Sequence, residues 1–121
     1  TLHRAPEIIR WWSWEKVHKL TRIQKGLILA AYRSLRPGGE MVYSTCTLVP
    51  QENEAIVDFL LRKHPEADVL DFHEFGFFWK EGLTEWKHLV FDEKCRKTKR
   101  LIPHRNQTEG FYIARIKKPT F

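Results

Sequence analysis

Apolar positions set the first element. Trp14, Val17, Leu20, Leu27, Ile28, Ala31 and Leu35 recur near the 3.6-residue period of an amphipathic helix. Ser13 precedes them as an N-cap, and Glu15 sits in the first turn, where the positive helix end favours a carboxylate. Arg36-Pro37-Gly38-Gly39 stops the helix, because proline cannot continue it and glycine permits a tight reversal. Glu40-Met41-Val42-Tyr43-Ser44-Thr45 then predicts a short strand. A second helix is predicted over residues 51–63, with Ile56, Val57, Leu60 and Leu61 as its buried face. His64-Pro65 ends it, since the residue before proline is pushed out of the α region.

Residues 67–71 predict a strand, and Phe111-Tyr112-Ile113-Ala114-Arg115-Ile116 a closing one. Between them, residues 72–86 are dense in aromatics and interrupted by Gly76 and Gly82, which predicts a packed loop. There is no internal repeat and no low-complexity linker, so residues 1–121 are expected to form one domain. The alternation of helix and strand points to an α/β fold.

The composition supports a folded domain. The chain has 121 residues, 42% hydrophobic and 30% charged, enough for a modest core. No apolar run approaches the ~20 residues a spanning helix needs, and no signal segment opens the chain, so no membrane partner is expected. Two cysteines, Cys46 and Cys95, are too few for a disulfide-built secreted scaffold, which favours a reducing, intracellular setting. The net charge is +6 and unevenly placed: residues 94–118 hold nine basic side chains and one acidic one. Such a segment fits a polyanionic partner such as nucleic acid, or a solvated surface.

The candidate chemistry lies at Cys46. It sits at the carboxyl end of the first predicted strand, where open α/β sheets bind ligands, and it is flanked by hydroxyl residues. A thiol there is placed for nucleophilic work, or is a small buried hydrophobe. Cys95 reads as a surface thiol among cations without a catalytic task. The six histidines show no zinc-ligand spacing, so no metal site is expected. Glu52 and Glu54 read as helix-capping acids rather than catalytic bases.

A longer pattern narrows the choice. The run from Leu35 through Pro37-Gly38-Gly39 and Ser44-Thr45-Cys46-Thr47 to Glu52-Asn53-Glu54 resembles a signature of the Sun/Fmu family of RNA (cytosine-5)-methyltransferases. So do Arg100-Leu101-Ile102-Pro103-His104-Arg105 with Glu109-Gly110-Phe111, and the opening Pro6-Glu7 with Trp11-Trp12. The resemblance implies an S-adenosylmethionine-dependent enzyme that methylates C5 of cytosine in tRNA or rRNA, with Cys46 as nucleophile through a covalent bond to C6. It implies RNA as partner and a cytoplasmic or, in a eukaryote, nucleolar location; the candidate contacts are Arg100, His104 and Arg105 of the matched segment, with Lys97 and Lys99 of the basic run.

The family's glycine loop, ribose-binding acid and aspartate-proline-cysteine motif have no counterpart here, and the six glycines form no G-x-G-x-x-G pattern. The chain is therefore expected to be the C-terminal portion of a Rossmann-like methyltransferase, a mixed sheet flanked by helices. The cofactor site would lie mostly in an upstream part of the same enzyme, and the isolated chain would be inactive. The competing expectations are a non-catalytic RNA-binding module derived from such an enzyme and a plain interaction domain.

Overall fold

The computed structural model describes residues 14–72, 78–102 and 110–120. Helix α1 spans Trp14–Ser34. Strand β1 spans Glu40–Thr45, a 3-10 turn Pro50–Glu52, and helix α2 Glu54–Lys63. Strands β2 to β5 follow at Asp68–Leu70, Phe78–Glu81, Glu85–Trp86 and Leu89–Val90. A 3-10 helix at Glu93–Lys97 leads to β6, Lys99–Ile102, and β7 spans Phe111–Lys117.

Strand β7 is the spine of the sheet. On one side it pairs with the whole of β1, from Glu40 opposite Lys117 to Thr45 opposite Tyr112. On the other side β2 takes residues 115–117 and β6 takes residues 111–113. β3 adds to the outer edge of β6, and β4 with β5 forms a separate hairpin. Among the described residues every pairing is antiparallel. β1 and β2 therefore run in the same direction with β7 between them, which gives the sheet strands of both senses without parallel neighbours.

The strand period explains the core. Tyr112, Ala114 and Ile116 are fully buried at alternate positions of β7, under Ile56, Val57 and Leu60 of α2. α1 contributes Ile28 and Tyr32 to the same core. Of the other expected apolar positions, Leu35 packs half-buried against this core, whereas Leu20 and Leu27 are exposed, as is the neighbouring Ile23. α1 thus carries two apolar stripes about 100° apart, and only the one containing Ile28 and Tyr32 meets this core. The turn after α1 is tied to β7. Gly38, at φ +82°, donates to the Lys118 carbonyl at 2.8 Å, and Lys118 Nζ caps the helix end at the Leu35 carbonyl, 2.8 Å away.

Several boundaries differ from the sequence reading. The helix expected over 51–63 is broken at Asn53, with the 3-10 turn before it. The stretch 72–86 contains β3 and β4 rather than only a loop. Gly82 allows this, because a Cβ there would overlap Thr98 Oγ1 and the Cys95 carbonyl. The N-cap Ser13 lies outside the described residues.

Candidate functional site

Cys46 follows the last residue of β1 and is exposed. β1 positions it because Thr45 is registered against Tyr112 of the spine strand. The turn that carries it is held from one side by Asn53. Thr45 Oγ1 donates to Asn53 Oδ1 at 2.5 Å, and Asn53 Nδ2 donates to the Thr47 carbonyl at 2.8 Å. Thr47 Oγ1 in turn accepts from the Val49 N–H at 3.2 Å. Tyr43 reaches the same loop, its hydroxyl donating to the Glu52 carbonyl at 2.6 Å. Burial pushes that hydroxyl's pKa up, so it stays a donor.

The next carbonyl, of Leu48, accepts from Arg100 Nη1 at 2.8 Å. Arg100 also meets Glu54 with two hydrogen bonds, so a buried ion pair underlies the Cys46 loop. Glu54 additionally accepts from the Leu83 N–H at 2.9 Å. Gly110 packs against the Leu48 side chain so closely that a Cβ would lie 2.7 Å from Leu48 Cγ. Two segments far apart in sequence therefore support one loop.

The residues expected to contact RNA fall in different places. Arg100 is buried against Glu54, and Lys99 is buried with its Nζ 2.6 Å from Asp71 and 4.4 Å above the Trp79 ring. Both cations are engaged by acidic partners within the domain. Lys97 is exposed, and His104 and Arg105 lie outside the described residues. Much of the remaining basic run is also engaged: Lys94 Nζ donates to the Pro65 and Ala67 carbonyls, Arg96 pairs with Glu93, and Arg115 with Glu40. Cys95 is fully buried rather than on the surface, and burial raises its thiol pKa strongly. Glu54 lies in the first turn of α2, as expected of a helix-capping acid, and is in addition a buried ion-pair partner. Asn53 has no role in the sequence reading beyond its place in the Glu-Asn-Glu run. Its signal is an asparagine at a helix start eight residues after a strand-end threonine.

An open groove of about 280 Å³ runs between α1 and β1, lined by Gln24, Leu27, Ala31, Met41, Val42 and Ser44 among others. Gln24 Oε1 is buried there without a partner among the described residues. The groove offers no carboxylate for ribose hydroxyls and no glycine turn for a close backbone approach. Among the described residues, this groove by itself does not supply the donors that S-adenosylmethionine needs. They also hold no metal-ligating cluster.

A family model described as 16S rRNA methyltransferase RsmB/F matches residues 1–117. The tRNA (cytosine(49)-C(5))-methyltransferase of Pyrococcus abyssi is 49% identical over 110 residues, covering 91% of this chain and 35% of that protein. The human 28S rRNA (cytosine(4447)-C(5))-methyltransferase is 36% identical over 104 residues, covering 83% of this chain and 12% of the relative. A methyltransferase homolog of Pyrococcus horikoshii, known from its crystal structure, superposes with a TM-score of 0.74 at 29% identity, over 88% of this chain and 33% of that one. The chain thus spans about a third or less of the length of these relatives. With a family match over nearly its whole length and a fold that superposes on a solved methyltransferase homolog, it belongs to the RsmB/F family of 16S rRNA methyltransferases.

Proposed function

We propose that this chain is the carboxyl-proximal catalytic portion of an RNA (cytosine-5)-methyltransferase acting on tRNA or rRNA, and that Cys46 is its nucleophile. The observation that carries the reading is an exposed thiol at the end of β1, in a turn tied down on both sides of the cysteine. C5 of cytosine is a weak nucleophile. Addition of the Cys46 thiolate to C6 moves the C5–C6 π pair onto C5, which can then take up a methyl group. Removal of the C5 proton returns the electron pair to the ring, and the sulfur leaves as thiolate. In a paired stem the base must leave the stack for its face to meet Sγ.

The family's S-adenosylmethionine would bind mainly to the part of the protein that the relatives carry beyond this segment. That part is proposed to dock on the α1–β1 groove. β1 has no neighbour on its outer edge among the described residues. Leu27 and Val42, 65% and 61% exposed, flank that edge and would be covered by an added strand and its helix. Lys97, His104 and Arg105 are proposed to meet RNA phosphates. Replacing Lys97 and Arg105 with Ala is expected to lower the slope of log affinity against log salt by about 0.7–0.9 for each phosphate left without its cation.

The test of function is Cys46→Ser in a full-length protein carrying this segment. Methyl transfer and a covalent RNA adduct are both expected to vanish, because a hydroxyl at neutral pH is a far weaker nucleophile than a thiolate. Turnover near the parent rate would refute the assignment and favour the non-catalytic module.

A further inference from the structure

We infer that Asn53 is a positioning residue for the Cys46 nucleophile: its one carboxamide clamps the residue before the cysteine and the residue after it, and so fixes the direction of Sγ. The inference rests on the reading of Cys46 as nucleophile.

Three observations support it. The first is the geometry. Asn53 Oδ1 accepts from the Thr45 hydroxyl at 2.5 Å and Asn53 Nδ2 donates to the Thr47 carbonyl at 2.8 Å, with the asparagine wholly buried. A side-chain hydroxyl on one flank and a main-chain carbonyl on the other meet a single rigid plane of atoms. The peptide on each side of Cys46 is thereby referred to the start of α2.

The second is what Asn53 gives up. It is the N-cap residue of α2, and its carbonyl accepts from the Ile56 and Val57 N–H groups at 3.0 and 3.1 Å. An asparagine there ordinarily turns its side chain onto an N–H of the first helical turn and so stabilises the helix start. Here it makes no side-chain cap at all. The carboxamide is committed to the cysteine turn instead, on a backbone at φ −116° and ψ −96°.

The third is the backing of the loop. Asn53 donates its own N–H to the Pro50 carbonyl at 3.1 Å, and the preceding carbonyl, of Glu52, is held by Tyr43. The next residue, Glu54, is locked to Arg100. The clamp is therefore mounted on fixed ground, as precise placement of a reacting atom requires: a displacement of about 1 Å can cost roughly 100-fold in rate.

The experiment compares Asn53→Ala, Thr45→Val, the double variant and Cys46→Ser in the full-length enzyme, by steady-state kinetics on substrate RNA with thermal unfolding alongside. Asn53→Ala is expected to lower kcat about 30- to 100-fold while KM for RNA stays within about twofold, because RNA affinity does not depend on where Sγ points. Thr45→Val should lower kcat about 10-fold, and the double variant should be no slower than Asn53→Ala, since both changes open the same clamp. A kcat within about twofold of the parent for Asn53→Ala, or losses that multiply in the double variant, would overturn the inference. So would a fall in kcat matched by an equal rise in KM. If Asn53→Ala does not fold, Thr45→Val decides: an unchanged kcat overturns the clamp, and a lowered kcat with unchanged KM upholds it. An active Cys46→Ser enzyme would instead remove the function reading on which the inference stands.

Discussion

The Arg100 guanidinium and the Glu54 carboxylate, 46 positions apart, meet with two buried hydrogen bonds, Nε to Oε2 at 2.5 Å and Nη2 to Oε1 at 2.7 Å. A planar fork against a carboxylate is the strongest geometry such a pair adopts. Here it joins β6 to α2 directly beneath the Leu48 carbonyl.

Breaking the pair from one side is expected to be costly. Arg100→Leu or Glu54→Leu leaves one buried charge without its counter-ion, an effect on the order of 3–5 kcal/mol. The double replacement Glu54→Leu with Arg100→Leu should recover much of that loss. Urea unfolding of the three variants checks it. If the single replacements prove as stable as the parent, the pair is not holding the loop.

The two thiols should behave oppositely. Cys46 is exposed and is expected to react with a thiol reagent in the native protein. Cys95 is buried, its Sγ 3.7 Å from the Glu54 carbonyl, and its pKa is raised by burial first and then by Asp58, Glu54 and Asp92. It should label only after unfolding. Peptide mapping after brief alkylation distinguishes the sites, and native labelling of Cys95 would contradict its placement.

Gly110→Ala should disturb the loop from the far side. Its Cβ would stand 2.7 Å from Leu48 Cγ and Cδ1, well inside van der Waals separation. We expect a loss of about 1–3 kcal/mol, as for other overpacked sites. Adding Leu48→Ala should relieve most of the crowding. Equal melting temperatures for Gly110→Ala and the parent would show that Leu48 can step aside freely.

Alkali should destabilise the domain through its buried hydroxyls. Burial and the hydrogen bond to Glu66 raise the Tyr32 pKa from 10.0 to about 12. Because the folded value lies above the unfolded one, this stabilisation is complete below pH 10. It is lost as pH climbs through about 12. Burial also pushes Tyr43, Tyr112 and Cys95 upward, so they add to the same effect. Circular dichroism from about pH 9 to about pH 12 measures it, and Tyr32→Phe should shift the transition to higher pH.

The parts of the fold governed by local pattern were legible in the sequence. Helix α1, strand β1 and strand β7 follow from the 3.6 and 2.0 periods and from the Pro37-Gly38-Gly39 stop. Period alone does not tell which stripe of α1 is covered by this sheet, which is why the pattern places Leu27 inside. Charge was the harder quantity. Lys99 and Arg100 read as part of a basic surface, because their partners Asp71 and Glu54 are 28 and 46 positions away. Cys46 was legible from its place after a strand. The clamp at Asn53 was not, because an asparagine at a helix start reads first as a cap and only the folded turn shows that it caps nothing.

The spine strand also governs when the domain can form during synthesis. β1, β2 and β6 have no pairing with one another among the described residues, and each joins the sheet through β7. None of these three ladders can close before residues 111–117 have left the ribosome. Until then the nascent chain exposes the apolar faces of α1, α2 and β1, a state that invites chaperone capture and premature aggregation. A stop codon anywhere ahead of Phe111 would remove the strand on which β1, β2 and β6 pair, leaving α2 without the face it packs on, and the product should be cleared by proteolysis rather than accumulate as a smaller folded protein.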